Sequence, residues 1–160
     1  MNYMIGADPA EVVDGTAYRR YRKYLEDIRG QIPQLVYEQA METWRYDFRD
    51  PRCPHDSWLQ QLIIQESGKG DRLQYRSTDI EIELLGAFHD RILKIEYRNV
   101  LRYSLDSMTE GTGHESWEID EVGLSDRFVV CHKIKFSSGA FWYIECERFS
   151  FSEERLRRQP

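Results

Sequence analysis

The spacing of apolar side chains changes once along this chain, from a period near 3.6 to a period of 2. Over residues 8–49 the recurrence is helical. Asp8-Pro9-Ala10-Glu11 supplies an N-cap, a first-turn proline and a carboxylate at N3, and Gly15 is placed to stop that short helix. Thr16 can cap the next helix, whose stripe is Tyr18, Tyr21, Leu25 and Ile28, with charged residues on the other faces and Gly30 as its C′ residue. Pro33 fits a first turn, and Leu35, Val36, Ala40, Met41, Trp44 and Phe48 form a second stripe that ends at Asp50-Pro51-Arg52-Cys53-Pro54. The pattern over 8–49 predicts an antiparallel hairpin of two helices.

From residue 55 to 151 the period is 2 and the residues are β-branched or aromatic. Strands are expected at 58–66, 79–88, 91–97 and 100–105, and near 117–122, 127–136 and 140–151. Residues 67–71 and 106–113 read as loops, His89-Asp90 as a tight turn and Arg98-Asn99 as a break between strands. Along 79–88, Ile80, Ile82 and Leu84 share one face while Glu81 and Glu83 take the other. The last hairpin can be set in register. A two-residue Ser138-Gly139 turn would place Glu145 and Glu147 opposite His132 and Val130, on the apolar face. A three-residue loop, Ser137-Ser138-Gly139 with Gly139 at positive φ, pairs Ile134 with Trp142, His132 with Ile144 and Val130 with Cys146, and leaves Lys135, Glu145 and Glu147 in solvent. The three-residue loop separates the faces. The whole predicts one α+β domain over 1–160: a helical part (8–49), a mostly antiparallel sheet of about seven strands (55–151) curled into a barrel or sandwich, and a charged, frayed tail (152–160).

Composition adds that 160 residues can bury roughly 70% of the unfolded surface. Aromatics at 13% exclude a disordered chain. The net charge of −6 is spread evenly: residues 1–50, 51–113 and 114–160 carry 7, 8 and 7 basic against 9, 10 and 9 acidic side chains, −2 each. No basic block is available for nucleic-acid phosphates. No apolar run approaches the roughly 20 residues of a membrane span, and residues 1–15 lack the features of a signal peptide. Three cysteines with no C-x-x-C argue against a disulfide framework or a Cys-rich zinc site. A soluble cytoplasmic protein with reduced thiols is expected.

The candidate chemistry is sparse. Phosphate-binding, dinucleotide-binding and nucleophile-elbow motifs are missing, as are metal-binding spacings, so no catalytic, metal or cofactor residue is assigned. His55-Asp56 and His89-Asp90 read as turn chemistry, and His114 as an exposed loop residue. His132 falls on the apolar face, either as a core histidine bonded to a carbonyl or lining a cavity with Trp142, Ile144 and Tyr97. The Tyr-rich helix (Tyr18, Tyr21, Tyr24) with Arg45 and Arg49 could form a contact surface or pack internally. Glu115-Ser116-Trp117-Glu118-Ile119-Asp120-Glu121 holds four carboxylates and no base. It reads as a solvated strand face or as an acidic patch that docks a basic partner.

The segments His55-Asp56-Ser57-Trp58, Ile82–Arg91, Phe136–Ala140 and Ile144-Glu145-Cys146-Glu147 give the chain a resemblance over about residues 55–150. It resembles small bacterial proteins of unknown function that open their first strand with a His-Asp dipeptide, distantly like the immunity proteins of toxin systems. The resemblance implies a bacterial cytoplasmic origin and binding rather than catalysis, and carries no catalytic residues with it. The function expected is thus a non-enzymatic protein-binding module, such as an immunity-type inhibitor. The alternatives are a small-ligand binder with a cavity in the curled sheet, or a small hydrolase-like enzyme using His55, Asp56 or His132.

Overall fold

A computed structural model describes residues 2–107, 111 and 113–157. Asp8 caps α1 (Pro9–Val13) by accepting from the Ala10 N–H, and Gly15, at φ 77°, turns the chain into α2 (Thr16–Ile28). Ala17, Tyr21, Leu25 and Ile28 form the buried stripe of α2. A 3-10 turn, Arg29–Gln31, and the extended Pro33 lead into α3 (Gln34–Ala40).

The expected second helix is cut short. Past Ala40 the chain makes a 3-10 turn, Thr43–Tyr46, that buries Trp44 and Arg45, while Phe48 is exposed. Tertiary demand overrides helix propensity here, because the turn delivers Arg45 to an interior carboxylate. In place of a helical hairpin, α2 packs on the strand Trp117–Leu124 and α3 on the strand Phe141–Arg155.

The strands are β1 (Trp58–Lys69), β2 (Tyr75–Leu85), β3 (Arg91–Leu105), β4 (Trp117–Leu124), β5 (Val130–Phe136) and β6 (Phe141–Arg155). They form one antiparallel sheet in the order β1-β2-β3-β6-β5-β4. Six strands replace seven because β3 runs through Arg98-Asn99 without a break. Asn99 adopts φ 52° at little cost, and β3 runs on against β6 with a register shift between Val100 and Arg102. The sheet is neither a closed barrel nor a sandwich. Among the described residues its outer strands meet at one corner, where the Trp117 N–H donates to the Ser57 carbonyl (2.9 Å) and the Asp56 N–H to the Trp117 carbonyl (2.9 Å). Away from that seam they diverge. From Asp79 back toward Tyr75, β2 pairs with β1 alone among the described residues, as a two-stranded arm most of whose residues are exposed, while β3 stays with β6.

The β5–β6 register is the three-residue one: Ile134 faces Trp142, His132 faces Ile144 and Val130 faces Cys146, with Gly139 at φ 89°. Two details differ. Glu145 is buried beneath Arg102, Arg127 and Tyr143, which hydrogen-bond or ion-pair with its carboxylate. Phe128 sits at φ 58° in a turn and is 76% exposed, so β5 begins only at Val130. Glu153–Arg155, expected in the tail, pair with β3 as part of β6, and Glu153 pairs with the buried Arg91. Half of the loop expected at 106–113 (residues 108–110 and 112), and residues 158–160 of the tail, lie outside the described residues. The core occupies the sheet face under the helices and includes Ile80, Ile82, Leu84, Leu93, Ile95, Trp117, Phe136 and Phe149. The opposite face carries ion pairs such as Lys94–Glu81 (3.1 Å) and Arg98–Glu81 (2.8 Å).

Candidate functional site

Four polar side chains meet inside the core. Asp120 on β4 accepts from Arg45 and, at 3.1 Å, from the Trp117 indole N–H. His132 Nε2 lies 2.8 Å from Asp120 Oδ2, and His132 Nδ1 lies 2.7 Å from the Tyr97 hydroxyl. Burial alone would push the Asp120 carboxyl up, but Arg45 and the hydrogen bond from His132 hold it down to about 2. Burial lowers the pKa of His132 against the pull of Asp120, so the imidazole is neutral at pH 7. The protons follow: Nε2–H donates to the carboxylate and Nδ1 accepts from Tyr97, whose own pKa burial raises well above 10. The guanidinium rests against the rings of Trp44 and Phe149, each 5.9 Å away.

None of these side chains reaches solvent, and Arg45 bonds through Nη2 alone, its Nε and Nη1 being buried without a hydrogen-bond partner among the described residues. Tyr97, His132 and Ile144 are wholly buried and Trp142 is 1% exposed, its indole N–H donating to the Asp106 carbonyl at 2.8 Å. The four residues expected to line a ligand cavity fill the interior themselves. Burial pushes the thiols of Cys53 and Cys146 up to about 12, which leaves them poor nucleophiles. Among the described residues no three His, Cys, Asp or Glu side chains group as a metal site.

The acidic run does not form a patch. Trp117, Asp120 and Glu121 are buried, and only Glu115 and Glu118 reach the surface. Glu121 Oε2 accepts the backbone N–H groups of Tyr3 (2.9 Å), Met4 (2.9 Å) and Ile5 (3.4 Å), pinning that segment beside β4. Glu118 pairs with Lys135 at 2.9 Å. The sequence pattern could not show this, since the backbone that Glu121 holds lies more than a hundred residues away and the cation that faces Asp120, Arg45, comes from a distant turn.

Three tyrosines close the outer edge of β4. The Tyr21 hydroxyl donates to the Val122 carbonyl (2.9 Å) and accepts from the Val122 N–H (2.8 Å). The Tyr24 hydroxyl accepts from the Leu124 N–H (2.8 Å), and the Tyr46 hydroxyl donates to the Asp120 carbonyl (2.7 Å). Gly123 permits this approach, because a Cβ there would lie 2.7 Å from the Tyr24 oxygen. The Gln39 amide does the same for β6, donating to the Phe151 carbonyl and accepting from its N–H. Tyr21, Tyr24 and Arg45 therefore serve the interior and the sheet edge. Arg49 stays at the surface beside Asp47.

The β1 edge is bare. The Gly86 N–H donates to the Arg91 carbonyl, and alternation along the β2–β3 and β1–β2 registers then turns the backbone groups of Leu62, Ile64, Glu66 and Gly68 away from β2. Among the described residues nothing bonds to them. Ile63 is 38% exposed and Ile64 43%. At the start of this edge lies the seam cleft, of about 500 Å³, lined by Trp58, Leu59, Gln60, His114, Glu115, Ser116 and Ser137 among others. Trp58 is half exposed and its ring packs on His89. Asp56 and Glu115, both at φ 60°, flank the cleft without a Lys or Arg partner among the described residues. His55 bonds the Glu118 carbonyl (2.7 Å) and stacks on Phe48. His89, at φ 54°, takes the left-handed place expected of Asp90. His114, expected to be exposed, is half buried edge-on against Trp142, and burial lowers its pKa.

Fold and site together define an open antiparallel α+β protein with a sealed polar interior and one uncovered sheet edge. Compared with protein-family models, curated proteins and solved structures, the chain matches none. Among the described residues no helix is long and apolar enough to cross a membrane.

Proposed function

We propose that this protein is a non-enzymatic protein-binding module that takes its partner along the free edge of β1 and into the adjoining seam cleft. One observation carries the reading. The two outer strands of a single sheet are treated in opposite ways: β4 is capped by three tyrosine hydroxyls, while β1 presents bare backbone and exposed isoleucines. A long uncovered edge is a template for strand addition, and proteins that do not use such an edge cover or charge it. Trp58 supplies an aromatic anchor at one end, and Asp56 and Glu115 suit basic groups on the partner. An immunity-type inhibitor that masks a toxin by surface complementarity is one protein of this kind. Three buried, free cysteines suit a reducing compartment such as the cytoplasm.

The test is Ile64→Pro. Proline removes an outward N–H and leaves the bonds between β1 and β2 intact. Tagged wild type and variant are compared for capture from the native cells, with thermal unfolding as the folding control. The reading expects a stoichiometric protein, an untagged copy included, to be retained by wild type and lost from an equally stable variant. Equal retention by both would overturn it.

A further inference from the structure

The polarity of β1 is symmetric about Ile63. Gln60-Gln61-Leu62-Ile63-Ile64-Gln65-Glu66 reads polar, polar, three apolar, polar, polar in either direction. Antiparallel pairing of a strand with a copy of itself about a two-fold axis requires this property, because every residue then faces its own mirror position. We infer that the occupant of the β1 edge is a second copy of this chain, paired antiparallel with Ile63 on the axis. The inference rests on β1 being a binding edge, as proposed above, and names its partner.

The register follows from the outward backbone groups. With Ile63 opposite Ile63, Leu62 exchanges hydrogen bonds with Ile64 of the other copy, and the four side chains of those two pairs form one apolar cluster. Gln61 faces Gln65 on the side of the Ile63 pair, and Gln60 faces Glu66. Sliding one copy so that Ile64 faces Ile64 sets Leu62 against Glu66. Sliding it the other way, to Leu62 on the axis, sets Ile63 against Gln61 and Ile64 against Gln60. Of these three registers only the Ile63-centred one matches apolar with apolar, and it sets no two carboxylates opposite each other despite the −6 charge of each chain, whereas a Gln61-centred register would set Asp56 against Glu66.

Two further observations fit. Over Gln65–Lys69 and Tyr75–Asp79 the β1–β2 arm is a two-stranded ribbon with most of its residues exposed, and such a ribbon is marginal in water until more strands join it. Pairing makes it four-stranded. The same register carries Lys69, which has no ion-pair partner among the described residues, toward the seam cleft of the other copy, where Asp56, 3.5 Å from His55, and Glu115 have no Lys or Arg partner among the described residues.

Sedimentation of the full chain at high and low concentration tests the inference. A monomer–dimer equilibrium is expected, and Ile63→Lys, which opposes two ammonium groups on the axis, should weaken it about tenfold or more with the melting temperature of the monomer unchanged. Ile63→Cys tests the register. Its thiols face each other in a non-hydrogen-bonded pair, so mild oxidation should link two chains, whereas Ser67→Cys should not link; the three native cysteines are buried. A wild type that stays monomeric at high concentration, or equal crosslinking by both cysteine variants, overturns the inference. If the wild type is monomeric and yet retains a different protein that Ile64→Pro loses, the binding edge stands and only the second copy falls. If the wild type dimerises but Ile63→Lys does not weaken the dimer, the edge itself is excluded.

Discussion

His132 Nε2 and Asp120 Oδ2 lie 2.8 Å apart on neighbouring strands, and neither side chain reaches solvent. The contact joins a neutral imidazole to a carboxylate whose charge is balanced by Arg45. Any change to one member leaves another uncompensated in the core.

Asp120→Ala is expected to cost about 3–5 kcal/mol, because it strands the buried Arg45 guanidinium. Arg45→Met together with Asp120→Ala should cost less than the two single changes added. Urea unfolding of the four proteins measures both quantities, and strict additivity would show that the pair is not coupled.

Acid should destabilise the fold in two stages. The folded pKa of His132 lies below the 6.5 of the free side chain, so the unfolded chain binds a proton that the folded one refuses. That stability is complete above 6.5 and is lost as pH falls from there toward the folded value. His114, lowered by burial, adds to the same window. Asp120 contributes a second loss as pH falls from 3.8 toward about 2. Melting temperatures against pH should decline below 6.5 in the wild type, with a shallower decline in His132→Gln despite its lower starting value.

Tyr21→Phe removes both partners of the Val122 peptide and should cost about 1–3 kcal/mol. Tyr24→Phe, at a half-buried position, should cost less. Uncapping β4 should also raise light scattering at concentrations where the wild type stays clear.

Gly139 holds φ 89° in the three-residue loop. Gly139→Ala should cost roughly 1–2 kcal/mol without altering the register, which the cross-strand contacts of Ile134, His132 and Val130 maintain. Amide exchange of β5 and β6 checks this.

The β5–β6 register was legible because one alignment mixes carboxylates into an apolar face and the other does not. The α1 cap and the α2 stripe were legible because capping and periodicity are local. What failed was non-local. Arg98-Asn99 looks like a strand end, and it is the pairing with β6 that carries β3 through it. Asp120 and Glu121 look solvated, because their compensation comes from Arg45 and from the backbone of Tyr3–Ile5. The bare β1 edge was invisible as well, since period-2 alternation does not reveal strand order.

β6 is the last strand along the chain, yet it lies between β3 and β5. Until it inserts, β1–β2–β3 and β4–β5 are separate half-sheets with facing edges unpaired. Pairing so distant in sequence is slow, of the order of milliseconds to seconds for β-rich domains. A chain without β6 in place leaves both of those edges open to other chains. The Tyr97–His132 hydrogen bond reaches across β6 from one half to the other, so it can form only after insertion and marks the step at which folding is complete.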